Sequence, residues 1–212
     1  MTTTSPTPSF SPVGPVLRVV LYGAGLLGLG YFLIHMHSET DALAVFGEYG
    51  RLETAQIVIL LTSFGLTVSA ALTRPASRPL SVLLAGLLLA LVVREHNNYF
   101  KDHVGPGAWE AAVALILIPT GLVALKWRKN LWPSITHIVQ SQAFVWMAAG
   151  VMLALFGQLL DEQSLWDLVL GKEPPYAARR ILEESFELAA LYFFLVGLIE
   201  YHLSLRSSAT PA

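Results

Sequence analysis

The chain has 212 residues, of which 54% are hydrophobic and 13% are charged, and its formal net charge is −2. Soluble domains contain about 25% charged residues, so this composition excludes an ordinary soluble domain and predicts a multi-pass membrane protein. The small negative charge argues against nucleic acid as a partner, and the lack of cysteine excludes disulfide bonds and thiolate metal sites.

Six apolar segments of membrane-spanning length follow one another along the chain, separated by short polar or Pro-containing turns. They cover residues 15–37, 51–72, 79–100, 108–127, either 134–160 or 142–160, and 178–203. The sequence therefore predicts an all-α fold, a polytopic membrane helical bundle of six transmembrane helices in one domain at residues 15–205. Residues 1–14, rich in Thr, Ser and Pro, are predicted to be a disordered N-terminal tail, and residues 206–212 a C-terminal tail.

Charges are distributed unevenly between the two ends of the predicted bundle. Six helices place both termini on one side, and every acid except Glu200 then lies on the opposite side. The basic turns TRPASRP and KWRK lie on the side of the termini. Because cytoplasmic loops are enriched in Lys and Arg, this pattern predicts cytoplasmic termini and a non-cytoplasmic acidic face.

Four of the predicted helices carry two polar residues, spaced by three, where they reach the acidic face. Residues i and i+3 share one face of a helix, so each helix end can direct two polar groups toward a common point. The pairs are Glu53 with Gln56, Glu95 with Asn98, Gln158 with Asp161, and Glu184 with Glu187. The pattern predicts a pocket lined by oxygen atoms near the membrane surface.

An oxygen-rich pocket with nearby imidazoles is typical of a site for a divalent metal ion. The predicted metal ligands are Glu53, Glu95, His96, His103, Asp161, Glu184 and Glu187. No predicted helix contains the Glu-x-x-His motif of four-helix dimetal proteins, so the spacing does not favour a dimetal oxidase.

The same residues suggest catalytic and substrate-binding roles. Glu53, Glu95 and Glu187 are predicted to act as acid–base groups, because ionisable residues within membrane segments are functional candidates. The guanidinium of Arg94 suits an anionic substrate group, and Asn98 and Gln158 are predicted to contact the substrate. The alternative is that these acids form ion pairs with neighbouring arginines, or that those opening the last helix stabilise its N-terminus.

Two short motifs resemble a known group of sequences. GEYGRLE before the second span, and LEESFE with its E-E-x-x-E pattern at the start of the last span, resemble uncharacterised bacterial multi-pass inner-membrane proteins. The resemblance implies a bacterial inner-membrane location and no known chemistry.

The leading functional hypothesis is a metal-dependent enzyme that acts, at the non-cytoplasmic face, on a lipid or another membrane-soluble substrate. The first alternative is a cation or proton channel or transporter with an acidic outer vestibule, although apolar runs such as residues 188–199 favour a one-sided pocket. The second alternative is an accessory subunit of a membrane complex. Membrane lipids, a second copy of the chain or a larger complex are the expected partners.

Overall fold

The computed structural model describes residues 13–39, 51–170 and 176–207, except for the side chains of some residues near helix ends, Asp161 among them. All regular structure in these ranges is helical, which confirms the predicted all-α class. The helices are α1 (Val13–Glu39), α2 (Arg51–Thr73), α3 (Arg78–Glu95), α4 (Asn97–His103), α5 (Ala108–Lys126), α6 (Leu131–Val139), α7 (Gln142–Asp161), α8 (Gln163–Leu170) and α9 (Tyr176–Ser207), with short 3-10 turns at Pro75–Ser77 and Arg128–Asn130.

Five of the described helices, α1, α2, α5, α7 and α9, are long and apolar enough to cross a membrane. The number rises to six if α3 and α4, which meet at a bend of 58°, are taken as one broken span. These lengths and compositions are those of membrane-spanning helices. The exact count of six and the side occupied by the termini stay predictions. The predicted tails lie outside the described residues, apart from 13–14 and 206–207, which are helical.

The chain divides into two compact units, residues 1–39 and residues 40–212. The described part of the first unit is the single helix α1, whose apolar side chains, such as Val20 and Leu27, are exposed. All of the candidate residues that the sequence predicts fall in the second unit.

Within the second unit, α9 packs most extensively on α7 and also packs on α2, while α3 packs on both α2 and α5. Glycine allows α7 and α9 to approach closely, since a Cβ atom at Gly150 would lie only 2.7 Å from the carbonyl oxygen of Ala190. Leu60, Leu88 and Leu198 lie in the buried apolar core. The last helix therefore joins α7, which lies shortly before it in sequence, to α2, which is more than 100 residues away.

The helix predicted at residues 79–100 is broken at His96 into α3 and α4. The His96 ring nitrogen Nδ1 lies 2.9 Å from the carbonyl oxygen of Val92, which is the oxygen that the backbone N–H of His96 would bond in a continuous α-helix. That N–H instead bonds the carbonyl oxygens of Val93 and Arg94. The side-chain bond thus stands at the point where the helix ladder is interrupted, and the bend separates Asn98 from the helix that carries Glu95.

Of the two starts predicted for the fifth span, residues 134 and 142, the structure agrees with the later one. α7 begins at Gln142, and the preceding residues form the separate helix α6. Helix α6 is amphipathic, with Ser134 and Ile138 buried and with Trp132 and Val139 exposed.

Candidate functional site

A cavity of about 330 Å³ lies where α2 and α9 begin and α3 ends, and it is named here the charged chamber. Its described lining contains five carboxylates and three cations, which are Glu53, Glu95, Glu183, Glu184 and Glu187, together with Arg94, Lys101 and Arg180. The amides of Gln56, Asn97 and Asn98 also line it. The chamber therefore carries two more formal negative charges than positive ones.

Helical spacing explains why α2 and α9 present these groups together. Glu53 and Gln56 are three residues apart, as are Glu184 and Glu187, so each pair shares a helix face. In both helices the pair faces the charged chamber. The predicted convergence of Glu53, Glu95 and the α9 acids at one end of the bundle is thus present in the structure.

Arg180 is the centre of the most tightly bonded part of the chamber. Its Nη1 donates to Glu183 at 3.0 Å, and its Nη2 lies 2.7 Å from Oε1 of Glu184. The second oxygen of Glu184 accepts a 2.8 Å hydrogen bond from Nε2 of Gln56. Glu183 and Glu184 are only 8% and 7% exposed. Because a buried charge without partners is costly, these bonds are what allows both carboxylates to lie inside.

Arg94 has a looser arrangement. Its guanidinium nitrogens lie 3.8 Å from Glu95 Oε1 and 3.9 Å from Glu187 Oε1. Both distances exceed the hydrogen-bond range, and the Arg94 side chain is 48% exposed. Glu187 Oε1 instead accepts a 2.7 Å hydrogen bond from Nε2 of Gln158. Arg94 is therefore held mainly by charge attraction, whereas Arg180 is held by short bonds.

Six of the predicted site residues line the charged chamber. They are Glu53, Arg94, Glu95, Asn98, Glu184 and Glu187. Gln158 stands behind the lining and contacts Glu187. The side chain of Asp161 lies outside the described residues, so its predicted role as a ligand has no structural description.

The structure does not bring His96 and His103 into the chamber lining. The His96 ring is bonded to the backbone of its own helix. The exposed His103 ring lies 3.0 Å from the carbonyl oxygen of Tyr99 and stacks on the Tyr99 ring with centroids 4.3 Å apart. Both histidines are close in sequence to residues that line the charged chamber. Each ring nonetheless bonds the backbone carbonyl oxygen four residues earlier, which lies within its reach in a helix.

Sequence reasoning missed Asn97 and Lys101 as chamber residues. The bend at His96 turns α4 relative to α3, and residues 97 and 101 then share one face of α4 that lines the chamber. The signal was present as a polar run from Arg94 to Lys101 after an apolar helix, but the bend that directs these residues inward was not readable from spacing.

Among the side chains that the structure describes, no group of three or more His, Asp or Glu is placed to hold a metal ion. Both oxygens of Glu184 are already bonded, to Arg180 and to Gln56. The divalent-metal ligand set stays a prediction.

No protein-family model, curated protein or solved structure matches the chain. The fold and the site still define a class of protein. In the described residues it is an all-helical protein whose helices are long and apolar enough to cross a membrane, with a charged chamber at one end of the bundle. The resemblance of GEYGRLE and LEESFE to bacterial inner-membrane proteins stays a prediction. Any functional proposal therefore rests on the chemistry of the chamber.

Proposed function

We propose that this chain is an integral membrane enzyme whose charged chamber binds the polar group of a membrane-soluble substrate. The observation that supports this most directly is that five carboxylates and three cations from separate helices line one cavity. Charged side chains at membrane depth are costly, and they are retained mainly where they bind or react. A cavity of this size is in the range that small ligands occupy.

The proposed roles follow the contacts of each residue. Glu53, Glu95 and Glu187 are the acid–base groups, because each presents a carboxylate to the chamber. Arg94 orients an anionic substrate group through its forked donors, and Asn98 supplies an amide to the same cavity. Gln158 is a positioning residue that fixes one oxygen of Glu187.

A divalent metal ion is the proposed cofactor, since carboxylate and amide oxygens are the donors that hard divalent ions bind. Binding at Glu184 would require release of its bond to Arg180 or to Gln56. Elemental analysis of detergent-purified protein, before and after loading with Mn²⁺ or Zn²⁺, tests this. A stoichiometric ion that is lost in Glu184→Gln supports the cofactor, and protein that stays metal-free after loading refutes it.

The enzymatic proposal is tested by reconstituting the full chain into bilayers made from a bacterial lipid extract and following the lipids by mass spectrometry. Wild-type protein is expected to consume one lipid class and form one product class. Glu187→Gln should abolish the conversion, since it removes the charge and keeps the shape. The matched control is Glu110→Gln, an exposed acid of α5 outside the chamber lining, which should leave the rate unchanged. A lipid profile identical with and without wild-type protein would refute the proposal.

Cation transport is the second candidate, and one observation favours it. Gln56, Ser63 and Thr67 are buried on one face of α2, so polar groups continue from the chamber into the bundle. Leu60 lies between them in the apolar core, which opposes a continuous polar path. Cation flux into protein-containing liposomes, abolished by Glu187→Gln, would reverse the order of the two candidates.

The proposed location is the bacterial inner membrane, with cytoplasmic termini and the charged chamber on the outer side. The chain contains no cysteine, so single cysteines can be introduced without background. Asp102→Cys should react with a membrane-impermeant maleimide added to intact cells, while Lys129→Cys should react only after the membrane is opened. The reverse pattern would invert the proposed orientation.

A further inference from the structure

A second cavity, of about 100 Å³, adjoins the charged chamber and is named here the apolar crevice. Its walls come from the aliphatic side chains of Leu60, Leu91, Ala154, Ala190 and Leu191. Three charged residues that line the charged chamber also line the crevice, and these are Arg94, Glu95 and Glu187. The two cavities therefore meet at these three side chains.

The crevice owes its space to small residues at a close helix contact. Gly150 brings α7 against the backbone of α9 at Ala190, and Ala154, one turn later in α7, lines the crevice. Larger side chains at Ala154 or Ala190 would fill this volume. An engineered apolar cavity of about 150 Å³ binds benzene, so a space somewhat smaller suits a short run of methylene groups.

Chemical character changes in a fixed order along α9. Ala190 and Leu191 line the apolar crevice, Glu187 lies at the junction, and Glu184 and Glu183 line only the charged chamber. Arg94 is at the junction as well. The order from the crevice outward is therefore apolar side chains, then Arg94 with two carboxylates, and then a part of the chamber lined by three carboxylates and two cations.

The two arginines are not equivalent as ligand-binding groups. Arg180 is bonded to Glu183 and Glu184 at 3.0 and 2.7 Å. The contacts of Arg94 are longer, at 3.8 and 3.9 Å, and its guanidinium can form short bidentate bonds to a phosphate in place of them. An anionic group at the junction of the cavities is thus the ligand feature that Arg94 fits, and an ammonium group fits the carboxylates beyond it.

Resting on the proposed function, we infer that the substrate is an amphiphile with a zwitterionic headgroup, namely a phospholipid that carries an ammonium group. Its chain begins in the apolar crevice, its phosphate lies at Arg94, and its ammonium group lies in the charged chamber, where the carboxylates of the described lining outnumber the cations by two. Apolar chain, phosphate and ammonium follow one another in such a lipid in the same order as the crevice, Arg94 and the acids follow one another in the protein.

The experiment is isothermal titration of the full chain in detergent with three soluble probes. They are dihexanoyl phosphatidylethanolamine, dihexanoyl phosphatidylglycerol, which lacks the ammonium group, and glycerophosphoethanolamine, which lacks the chains. The phosphatidylethanolamine is expected to bind roughly tenfold more tightly than either of the others, since each lacks one set of contacts.

Two variants separate the contributions of the two cavities. Ala154→Leu should weaken binding of the phosphatidylethanolamine roughly tenfold and leave glycerophosphoethanolamine unaffected. Arg94→Gln should weaken binding of all three phosphate-containing probes, with partial recovery in Arg94→Lys. The control Ala114→Leu adds the same side chain at an exposed position of α5 and should change nothing, and unfolding midpoints of all variants establish that they fold.

The outcomes distinguish this inference from the proposed function. If glycerophosphoethanolamine binds as tightly as the lipid and Ala154→Leu has no effect, the amphiphile inference fails while the chamber remains a ligand site. If phosphatidylglycerol binds as tightly as phosphatidylethanolamine, the zwitterionic headgroup is wrong. If none of the three probes binds while wild-type protein still converts a lipid in the bilayer assay, this inference is refuted and the proposed function stands.

Discussion

At the chamber end of the bundle the buried polar groups include the carboxylates of Glu183 and Glu184, whereas at the end where α2 turns into α3 they include the hydroxyls of Ser77 and Ser134 as well as the carboxylate of Glu200. These hydroxyls bond backbone carbonyl oxygens: Ser77 donates to that of Arg74, three residues away, and Ser134 donates to that of Asn130 at 2.7 Å and also reaches that of Ala76 at 2.9 Å. Glu184, in contrast, accepts a hydrogen bond from the side-chain amide of Gln56, which is 128 residues away in sequence.

The difference between these hydroxyls and carboxylates indicates which buried polar groups serve only the stability of the fold. A hydroxyl that bonds a backbone carbonyl one turn away satisfies itself wherever the helix forms. A buried carboxylate depends on side chains of other helices, so its partners can be rearranged or replaced by a ligand. At the end where α2 turns into α3, named here the hydroxyl end, Ser77 and Ser134 are therefore expected to tolerate substitution, whereas the carboxylates of the chamber end are expected to be sensitive.

The strongest way to break this comparison is Arg180→Met. The substitution keeps an unbranched apolar stem but leaves Glu183 and Glu184 buried without their shared cation. We expect the free energy of unfolding to fall by about 2–3 kcal/mol, below the full cost of an unpaired buried charge because the arginine is partly exposed. Unfolding in mixed micelles by SDS titration measures it. Arg128→Met, at an exposed site of the other end, should cost less than about 0.5 kcal/mol, and equal losses would contradict the comparison.

A second test addresses the close contact between α7 and α9 at Gly150. Gly150→Ala would place a methyl group 2.7 Å from the carbonyl oxygen of Ala190, and relief requires α7 and α9 to separate. We expect a loss of about 1–3 kcal/mol in the free energy of unfolding, as for other overpacked sites. The matched substitution is Gly121→Ala, where a Cβ atom meets nothing within 4 Å. If both variants unfold at the same SDS fraction, the close contact does not limit stability.

The third prediction sharpens the comparison within the chamber. Gln56→Leu keeps much of the side-chain volume but removes the 2.8 Å hydrogen bond to Glu184. We expect the free energy of unfolding to fall by about 1.5 kcal/mol, which is the lower end of the range for hydrogen bonds to charged groups. A double-mutant cycle with Glu184→Gln should assign most of this to the pair. Thr62→Val is the control, since the exposed Thr62 hydroxyl bonds only its own helix, and a cycle with no coupling would show that the bond is energetically neutral.

The smallest effect is predicted for the hydroxyl end. Ser134→Ala removes hydrogen bonds to the carbonyl oxygens of Asn130 and Ala76 but leaves no charge unpaired. We expect a loss of about 0.6 kcal/mol, the average for neutral side-chain hydrogen bonds in membrane proteins, and no change in ligand binding at the chamber. A stability loss larger than that of Arg180→Met would overturn the distinction between the two ends.

The sequence predicted the helices well because apolar runs of membrane-spanning length carry a strong signal. It also predicted that Glu53, Glu95 and Glu187 would meet, since helices that alternate in direction bring alternate ends together and a spacing of three fixes a helix face. The structure departs at His96, where a helix that the pattern treats as continuous is broken and the His96 ring bonds the carbonyl oxygen of Val92. Such a local bond depends on a rotamer, and hydrophobic periodicity does not record it.

The sequence did not predict which helices pack on one another, or the apolar crevice, for a different reason. That α9 packs on both α7 and α2 is a property of how helix surfaces fit, and it decides which acid meets which partner. The predicted imidazole ligands illustrate the same point. His96 and His103 each bond their own helix, and composition alone could not distinguish this from a place in the chamber.

The position of α9 also has a consequence for biogenesis. Helix α9 is synthesised after α2 and α3, and roughly 80 residues separate it from the end of α3. At about 5–20 residues per second, the ribosome needs on the order of ten seconds to make that segment. During this time Gln56 has no Glu184 to which it can donate its hydrogen bond. The chamber is therefore completed only after α9 has been synthesised and has packed on α2.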